Sequence, residues 1–212
     1  MSASTSTSAG SGRRPSSLER DERWARVAWA FLAEPRDPSV VQALDTYGAV
    51  EALARFRAGQ LLVRPGALER LPDLDVDDLA HAADRQGAHV VVPGDEGWPL
   101  GVDRLDEPPY ALFVRGYPDL DTLVERSVAI VGSRAATDYG MRTAADLAEG
   151  LGTRGFTIIS GAAYGIDSAA HRAALASGGP TVAVLACGAD RYYPAAHRTM
   201  LNEIARTGAV VS

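Results

Sequence analysis

Three glycine-containing loops, each directly after a short apolar run, constrain the fold of this chain more than any other feature. Each loop is followed by a helix-like segment, and the three lie in the segments 128–134, 158–167 and 182–190. In a parallel sheet, all strand-to-helix loops lie at the same edge, the carboxyl ends of the strands. We therefore expect the three loops to meet in one crevice, whose backbone amides and helix N-termini favour anions.

The apolar runs are continuous instead of alternating, as expected of strands that helices cover on both faces. They predict strands near 128–131, 156–160, 181–185 and 209–212, and helices near 138–151, 167–176 and 197–206. The predicted fold class is α/β, with a Rossmann-like doubly wound parallel sheet. Because the sequence stops at Ser212, directly after a strand, we expect the sheet to be incomplete at its C-terminus.

The rest of the chain divides by composition and periodicity. Residues 1–20, rich in Ser, Thr and Gly, predict a disordered tail. Residues 21–75 predict a small helical domain, because apolar residues recur at helical spacing and Gly48 and Gly59 fit helix ends. Residues 76–212 form the predicted Rossmann-like domain, which opens with a helix and two short strands near 76–85, 89–92 and 111–115.

The composition excludes several classes of protein. Cys187 is the only cysteine, so an intramolecular disulfide and a cysteine zinc cluster are excluded, and we expect a small buried residue there. The N-terminus has no signal-peptide pattern and no apolar run spans a bilayer, which predicts a cytoplasmic protein without membrane contact. The net charge of −6 argues against coating of nucleic acid by a wholly basic surface. It leaves room for a local basic groove.

The first loop, Gly132-Ser133-Arg134, combines three groups suited to an anionic ligand. Gly132 lets the backbone turn tightly and approach a ligand closely. Ser133 offers a hydroxyl and an amide, and Arg134 offers a planar fork that matches a phosphate or a base edge. The alternative is a structural turn with an exposed arginine.

The second loop runs from Ser160 to Asp167. Gly161 and Gly165 leave room for a ligand, and Asp167 is expected to cap the next helix and orient the loop. His171 lies one helical turn further on the same face. A catalytic Ser–His–Asp site is the alternative, but the serine is not in a nucleophile-elbow pattern. We therefore expect no catalytic residue here.

The third loop offers Arg191 for a phosphate and either Tyr192 or Tyr193 for stacking on a base. Alternatively, one tyrosine packs under the sheet edge and Pro194 begins the next helix. The first loop lacks the G-x-G-x-x-G spacing, and no G-x-x-x-x-G-K-[ST] loop is present. The sequence therefore predicts no dinucleotide or ATP cofactor, and no metal.

Taken in order, these motifs resemble the DNA-processing protein A (DprA/Smf) family. The family's G-S-R and Y-G elements match Gly132-Ser133-Arg134 and Tyr139-Gly140. Its S-G-x-A-x-G-I-D-x-x-A-H run matches residues 160–171, and its G-x-D-x-x-Y-P element matches residues 188–194. The resemblance begins near Trp98 and is specific because so many elements recur in the same order.

The resemblance implies a helical SAM/HhH-like domain followed by a Rossmann-like domain that binds single-stranded DNA without acting as an enzyme. Such proteins protect incoming DNA and load RecA recombinase during natural transformation, as homodimers. The DNA-binding positions that carry over are Gly132, Ser133, Arg134, Ser160, Gly161, Tyr164 and Gly165, with Asp167 and His171 orienting the loop.

This chain departs from the family pattern in two places. Tyr164 stands where the family often has Lys or Arg, so a cation is exchanged for an aromatic platform. The family's dimer contact and RecA surface lie past the terminal strand, so we expect both to be missing from this chain. The alternative function is a nucleoside monophosphate phosphoribohydrolase on a related scaffold, whose P-G-G-x-G-T-x-x-E motif is absent.

Overall fold

The computed structural model describes residues 17, 19, 21–34, 37–106, 108–188 and 191–212. The predicted disordered tail lies almost wholly outside the described residues, and so does Asp190 of the third loop. The chain divides into two compact units between Asp77 and Asp78. The SAM/HhH-like identity of the first unit and its predicted end at residue 75 stay predictions.

The first unit contains helices α1 (Glu22–Leu32), α2 (Pro38–Arg57) and α3 (Pro65–Arg70). Its core is built around Trp29, which is fully buried and whose ring centroid lies 5.5 Å from that of Phe56. The indole N–H of Trp29 donates to the carbonyl of Ala49 at 3.2 Å, so its polar atom is satisfied inside the core.

Gly48 interrupts α2, at the position where the sequence predicted the end of one helix and the start of another. Its φ of 75° and ψ of 167° are not helical. The amide of Ala49 donates to the carboxylate of Glu22 at 3.2 Å, which satisfies a backbone group that the break leaves free. Two helical segments, instead of one straight helix, therefore enclose the core of this unit.

The second unit is an α/β domain, and it confirms the predicted fold class. Helix α4 (Val76–Arg85) contains the division between Asp77 and Asp78 in its first turn. The elements that follow are β1 (Ala88–Val91), β2 (Leu112–Gly116), α5 (Leu120–Val124), β3 (Ser127–Ala129), α6 (Asp138–Gly152), β4 (Thr157–Ser160), α7 (Ile166–Ala176), β5 (Thr181–Val184), α8 (Arg198–Thr207) and β6 (Ala209–Val211).

The six strands form one sheet in the order β1-β2-β6-β5-β4-β3. Strands β3 to β6 are parallel to one another. Strand β2 pairs antiparallel with β6, and β1 pairs antiparallel with β2, so these two strands extend the sheet beyond β6. The carboxyl ends of β3, β4 and β5 therefore lie side by side at one edge. Within the described ranges, no helix has both the length and the apolarity that crossing a membrane requires.

Apolar side chains are buried on both faces of this sheet: Val182 and Val211 pack with Trp98 and Leu120 on one face, and α6, α7 and α8 cover the other. Leu201 and Ile204 of α8 pack on Val210 of β6, and all three are fully buried. On another part of the sheet, Ile158 packs with buried alanines of α6 and α7, whose small size lets the helices lie close to the strands. Fully burying one Leu or Ile side chain stabilises the fold by about 1.5–3 kcal/mol. The strand ends that carry the loops are thus held by a packed core.

Candidate functional site

A cavity of about 400 Å³ opens at the carboxyl ends of the parallel strands, between the three loops that the sequence singled out. Each loop contributes to its lining, through Gly132 and Arg134, through Gly161, Tyr164 and Asp167, and through Cys187, Tyr193 and Pro194. The loops therefore converge as the sequence predicted, because strands β3, β4 and β5 are parallel neighbours.

Asp167 joins the first two loops at the floor of this cavity. One carboxylate oxygen accepts from the amide of Gly132 and the other from the amide of Ala163, each at 3.3 Å. The prediction that Asp167 caps the next helix is wrong, because Gly165 takes the cap position and no side chain caps α7. Asp167 is only 6 % exposed, so loop amides, instead of water, donate hydrogen bonds to its carboxylate.

Gly165 makes the second contact between these loops. Its φ is 76°, and a Cβ atom there would lie 2.2 Å from the carbonyl oxygen of Ser133. The neighbouring amide of Ile166 donates to that same oxygen at 3.2 Å. Only glycine allows the second loop to pack directly on the backbone of the first.

Arg134 supplies the cation of the cavity. Its side chain is exposed and lines the cavity wall. In the part of the chain that the structure describes, no carboxylate forms an ion pair with it. Its guanidinium group is therefore available to an anionic ligand, with the donor geometry that suits a phosphate.

Tyr164 is half exposed and packs against His197, a residue that belongs to none of the sequence motifs. Its ring centroid lies 4.8 Å from that of His197, with the rings inclined at 65°. His197 is buried, and its Nδ1–H donates to the carbonyl of Ala162 at 2.9 Å. His197 therefore holds one side of the Tyr164 ring in place, and the other side of the ring is open to a ligand.

The structure also decides which tyrosine of the third loop reaches the cavity. Tyr193 lines it and is 59 % exposed, while Tyr192 packs under the loop. The Tyr192 hydroxyl accepts from Arg115 at 2.9 Å and donates to Asn202 at 2.8 Å. Cys187, predicted as a buried residue, is partly exposed instead, because β5 ends at Val184 and the chain there runs along the cavity.

Ser133, Ser160, Gly165 and His171 do not line the cavity. Ser160 is buried, and its hydroxyl donates to the carbonyl of Ile130 at 2.6 Å. The hydroxyl of Ser133 accepts from the amide of Ala135 at 3.2 Å. These serines position the backbone of the loops, and their contact with DNA stays a prediction.

His171 lies beneath the loops and contacts the sheet. Its Nδ1–H donates to the hydroxyl of Thr181 at 2.7 Å, which in turn donates to the carbonyl of Ile158 at 2.7 Å. Among the described atoms, Nε2 has no partner. Ser160, His171 and Asp167 each bond to other groups, so they form no catalytic triad.

Burial lowers the pKa of His171 to about 4, against smaller raising effects of the Ser160 backbone and the Asp167 carboxylate. The imidazole is therefore neutral near pH 7. In the described residues, no group of three His, Cys, Asp or Glu side chains is arranged to hold a metal ion. Among the described residues, the cavity therefore offers a ligand the Arg134 guanidinium group and aromatic surface.

Comparison with known sequences supports one family. The family profile described as DNA recombination-mediator protein A matches residues 89–212, more than half of the chain. The putative DNA processing protein DprA of Mycobacterium tuberculosis is 42 % identical over 200 residues, which cover 86 % of this chain and 51 % of that protein. The chain thus spans about half the length of this curated relative.

Two solved structures share the fold. DNA processing protein A from Streptococcus pneumoniae matches with a TM-score of 0.64 and 26 % identity, over 88 % of this chain and 65 % of that one. DNA processing protein A from Helicobacter pylori, studied for its single-stranded DNA binding mode, matches with a TM-score of 0.51 and 29 % identity. That match covers 60 % of this chain and 56 % of the other.

Proposed function

The chain belongs to the DNA recombination-mediator protein A (DprA/Smf) family, and we propose on that premise that its cavity binds single-stranded DNA without catalysing a reaction on it. The observation that carries the proposal is the convergence of Arg134, Tyr164 and the Asp167-linked loops on one cavity. The binding of single-stranded DNA by the similar Helicobacter pylori protein supports it.

The charges of the cavity suggest which part of a nucleotide enters. Asp167 places a buried negative charge at the floor and already occupies the amides of Gly132 and Ala163. A phosphate there would meet a like charge and find two donors engaged, which is unfavourable. We therefore infer that an uncharged base enters beside Tyr164, while the phosphate stays at the rim with Arg134.

Absence of catalysis is part of the proposal. The carboxylate of Asp167 accepts from two loop amides, and the imidazole of His171 is buried beneath the cavity. A general base needs to lie within hydrogen-bond reach of the reacting group. An assay for release of free base from nucleoside monophosphates tests the point, and no release is expected.

Substitution of Arg134 tests the cavity directly. We expect Arg134→Gln to weaken binding of a fluorescent oligothymidylate about 10-fold and to reduce the salt slope by about 0.7, the value for one phosphate contact on a single strand. Fluorescence anisotropy at several salt concentrations measures both quantities.

Arg154→Gln is the matched control, because Arg154 is exposed and follows the C-terminal end of α6, remote from the loops. Its affinity and salt slope should equal those of the unsubstituted chain. If Arg134→Gln behaves like this control, the cavity is not the DNA site.

For the whole protein, family membership leads us to propose a wider role. It would protect incoming single-stranded DNA in the cytoplasm during natural transformation and load RecA recombinase, acting as a homodimer. RecA-dependent ATP hydrolysis on single-stranded DNA, measured with and without the full-length protein, tests the RecA step. No stimulation would leave DNA binding as the extent of the function.

A further inference from the structure

A second cationic cluster lies beside the cavity, and the proposed function makes no use of it. The guanidinium carbons of Arg115 and Arg198 lie 4.9 Å and 5.2 Å from the ring centroid of Tyr192. We call these three residues the Tyr192 platform. Two arginines on one aromatic ring place two positive charges in a small region of a chain whose net charge is −6.

The platform is held in place from below. Arg115 of β2 is only 7 % exposed, and one of its N–H groups donates to the Tyr192 hydroxyl at 2.9 Å. That hydroxyl donates to Asn202 of α8 at 2.8 Å, so the ring is tied to both a strand and a helix. Arg198, at the start of α8, is exposed to solvent. The platform therefore presents one free guanidinium group on a fixed aromatic support.

The positive charge of the platform lacks a counter-charge among the described residues. Neither Arg115 nor Arg198 forms an ion pair there, and Nε of Arg115 is buried without a partner. By contrast, Arg206 near the other end of α8 pairs with Glu203. Two guanidinium groups near one ring repel each other. An anion bound on their solvent-exposed side would relieve that repulsion.

The platform also adjoins the cavity along the chain. Tyr193 and Pro194 line the cavity, Tyr192 directly precedes them, and Arg198 follows four residues after Pro194. Four residues span at most about 14 Å, so the Cα atom of Arg198 lies within that distance of the cavity wall. A strand with one base in the cavity would bring a neighbouring phosphate into this region.

We propose that the Tyr192 platform is a second DNA-contact site, in which Arg198 binds a backbone phosphate of the strand whose base occupies the cavity. The recognised group is a phosphodiester anion beside an aromatic surface. Arg115 acts by holding Tyr192 in position and by adding positive potential. The proposal rests on the proposed function, because the strand is placed by the cavity.

Two oligonucleotide lengths separate the two sites. An oligothymidylate of about 3 nucleotides fills the cavity, while one of about 12 nucleotides also reaches the platform, within the span of known single-strand sites. We expect Arg198→Gln to weaken binding of the longer one about 5-fold and to lower its salt slope by about 0.7, with little change for the shorter one. Arg198→Lys keeps the charge and should restore most of the affinity.

Arg206→Gln is the matched control on the same helix, since Arg206 is exposed and already paired with Glu203. Arg198→Gln and the control should both unfold at nearly the temperature of the unsubstituted chain, because both side chains are exposed. If Arg198→Gln binds both lengths like this control, the second site is refuted. An equal loss for both lengths also refutes it, because Arg198 would then act on the cavity itself.

Failure of the proposed function gives a different result. If the cavity binds DNA, Arg134→Gln should weaken binding of both oligonucleotides. If the unsubstituted chain binds neither oligonucleotide, the proposed function and the second site are both wrong. A poly-glutamate peptide tests whether the platform instead fits an acidic protein segment. Three results together would make the platform a protein contact and the proposal wrong. The peptide would bind the unsubstituted chain, bind Arg198→Gln more weakly, and fail to displace the longer oligonucleotide from the unsubstituted chain.

Discussion

At the scale of single residues, Gly165 is a position where the structure leaves no room for a side chain. Gly165→Ala places a side chain at a φ of 76° and a Cβ atom 2.2 Å from the Ser133 carbonyl oxygen. The two loops must then separate, and we expect a loss of stability on the order of 3 kcal/mol with loss of DNA binding. Urea unfolding and anisotropy titration measure the two effects.

Gly178→Ala isolates the backbone part of that effect. Gly178 has a φ of 72°, but nothing lies within 4 Å of its added Cβ atom. It should lose only about 1 kcal/mol of stability, the cost of a left-handed non-glycine residue, and keep its DNA affinity. Equal losses of unfolding free energy in the two variants would show that the contact between the two loops does not stabilise the fold.

Residues beside the strands of this site can be predicted from sequence, while contacts between distant segments cannot. Arg134 and Tyr164 were placed at the cavity from sequence, because a residue that follows a parallel strand lies at the carboxyl edge. Asp167 was misassigned as a helix cap, because its partner Gly132 lies 35 residues earlier and no local pattern signals the bond. His197 supports Tyr164 across a similar separation, and it stood in a segment without any recognisable motif.

At the level of elements, His171 links α7 to the sheet through Thr181 and makes that link depend on pH. Burial lowers the pKa of His171 to about 4, below the ordinary value of 6.5. Above pH 6.5 the imidazole is neutral in both the folded and the unfolded chain, so it makes no pH-dependent contribution to stability. As the pH falls from 6.5 towards 4, the unfolded chain gains a proton that the folded chain excludes, so the folded state loses stability.

The size of this loss is on the order of a few kcal/mol at the acid end, since one pKa unit corresponds to about 1.4 kcal/mol. His171→Gln does not titrate, so its stability should change less between pH 6.5 and 5 than that of the unsubstituted chain. Urea unfolding at both pH values measures the difference. Parallel pH dependence in the two proteins would show that His171 is not held neutral.

Elements differ in how far the sequence determines them. The parallel strands β3 to β6 and the helices between them were predicted because each strand is a continuous apolar run, and a loop and a helix-like segment follow each of the first three. Helices α3 and α5 were missed, since six and five residues give too few turns for a periodic pattern. Strands β1 and β2 were predicted, but their antiparallel pairing beside β6 was not, because Val114 pairs with Val211 far along the chain.

For the molecule as a whole, the proposed DNA site is a cation-poor cavity on an acidic chain. The net charge of −6 repels a polyanion at long range, most strongly at low salt. The proposed binding would therefore depend on close contacts. Stacking of a base on Tyr164 would be the contact that salt weakens least, because it involves no net charge.

Substitutions of Tyr164 test this balance. Tyr164→Ala should weaken oligothymidylate binding by about 1–3 kcal/mol at every salt concentration, because it removes stacking and leaves the charge unchanged. Tyr164→Lys adds a phosphate contact and should steepen the salt slope by about 0.7. Its affinity should therefore exceed that of Tyr164→Ala at low salt and approach it at high salt. A loss in Tyr164→Ala that disappears at high salt would mean that the tyrosine does not act by stacking.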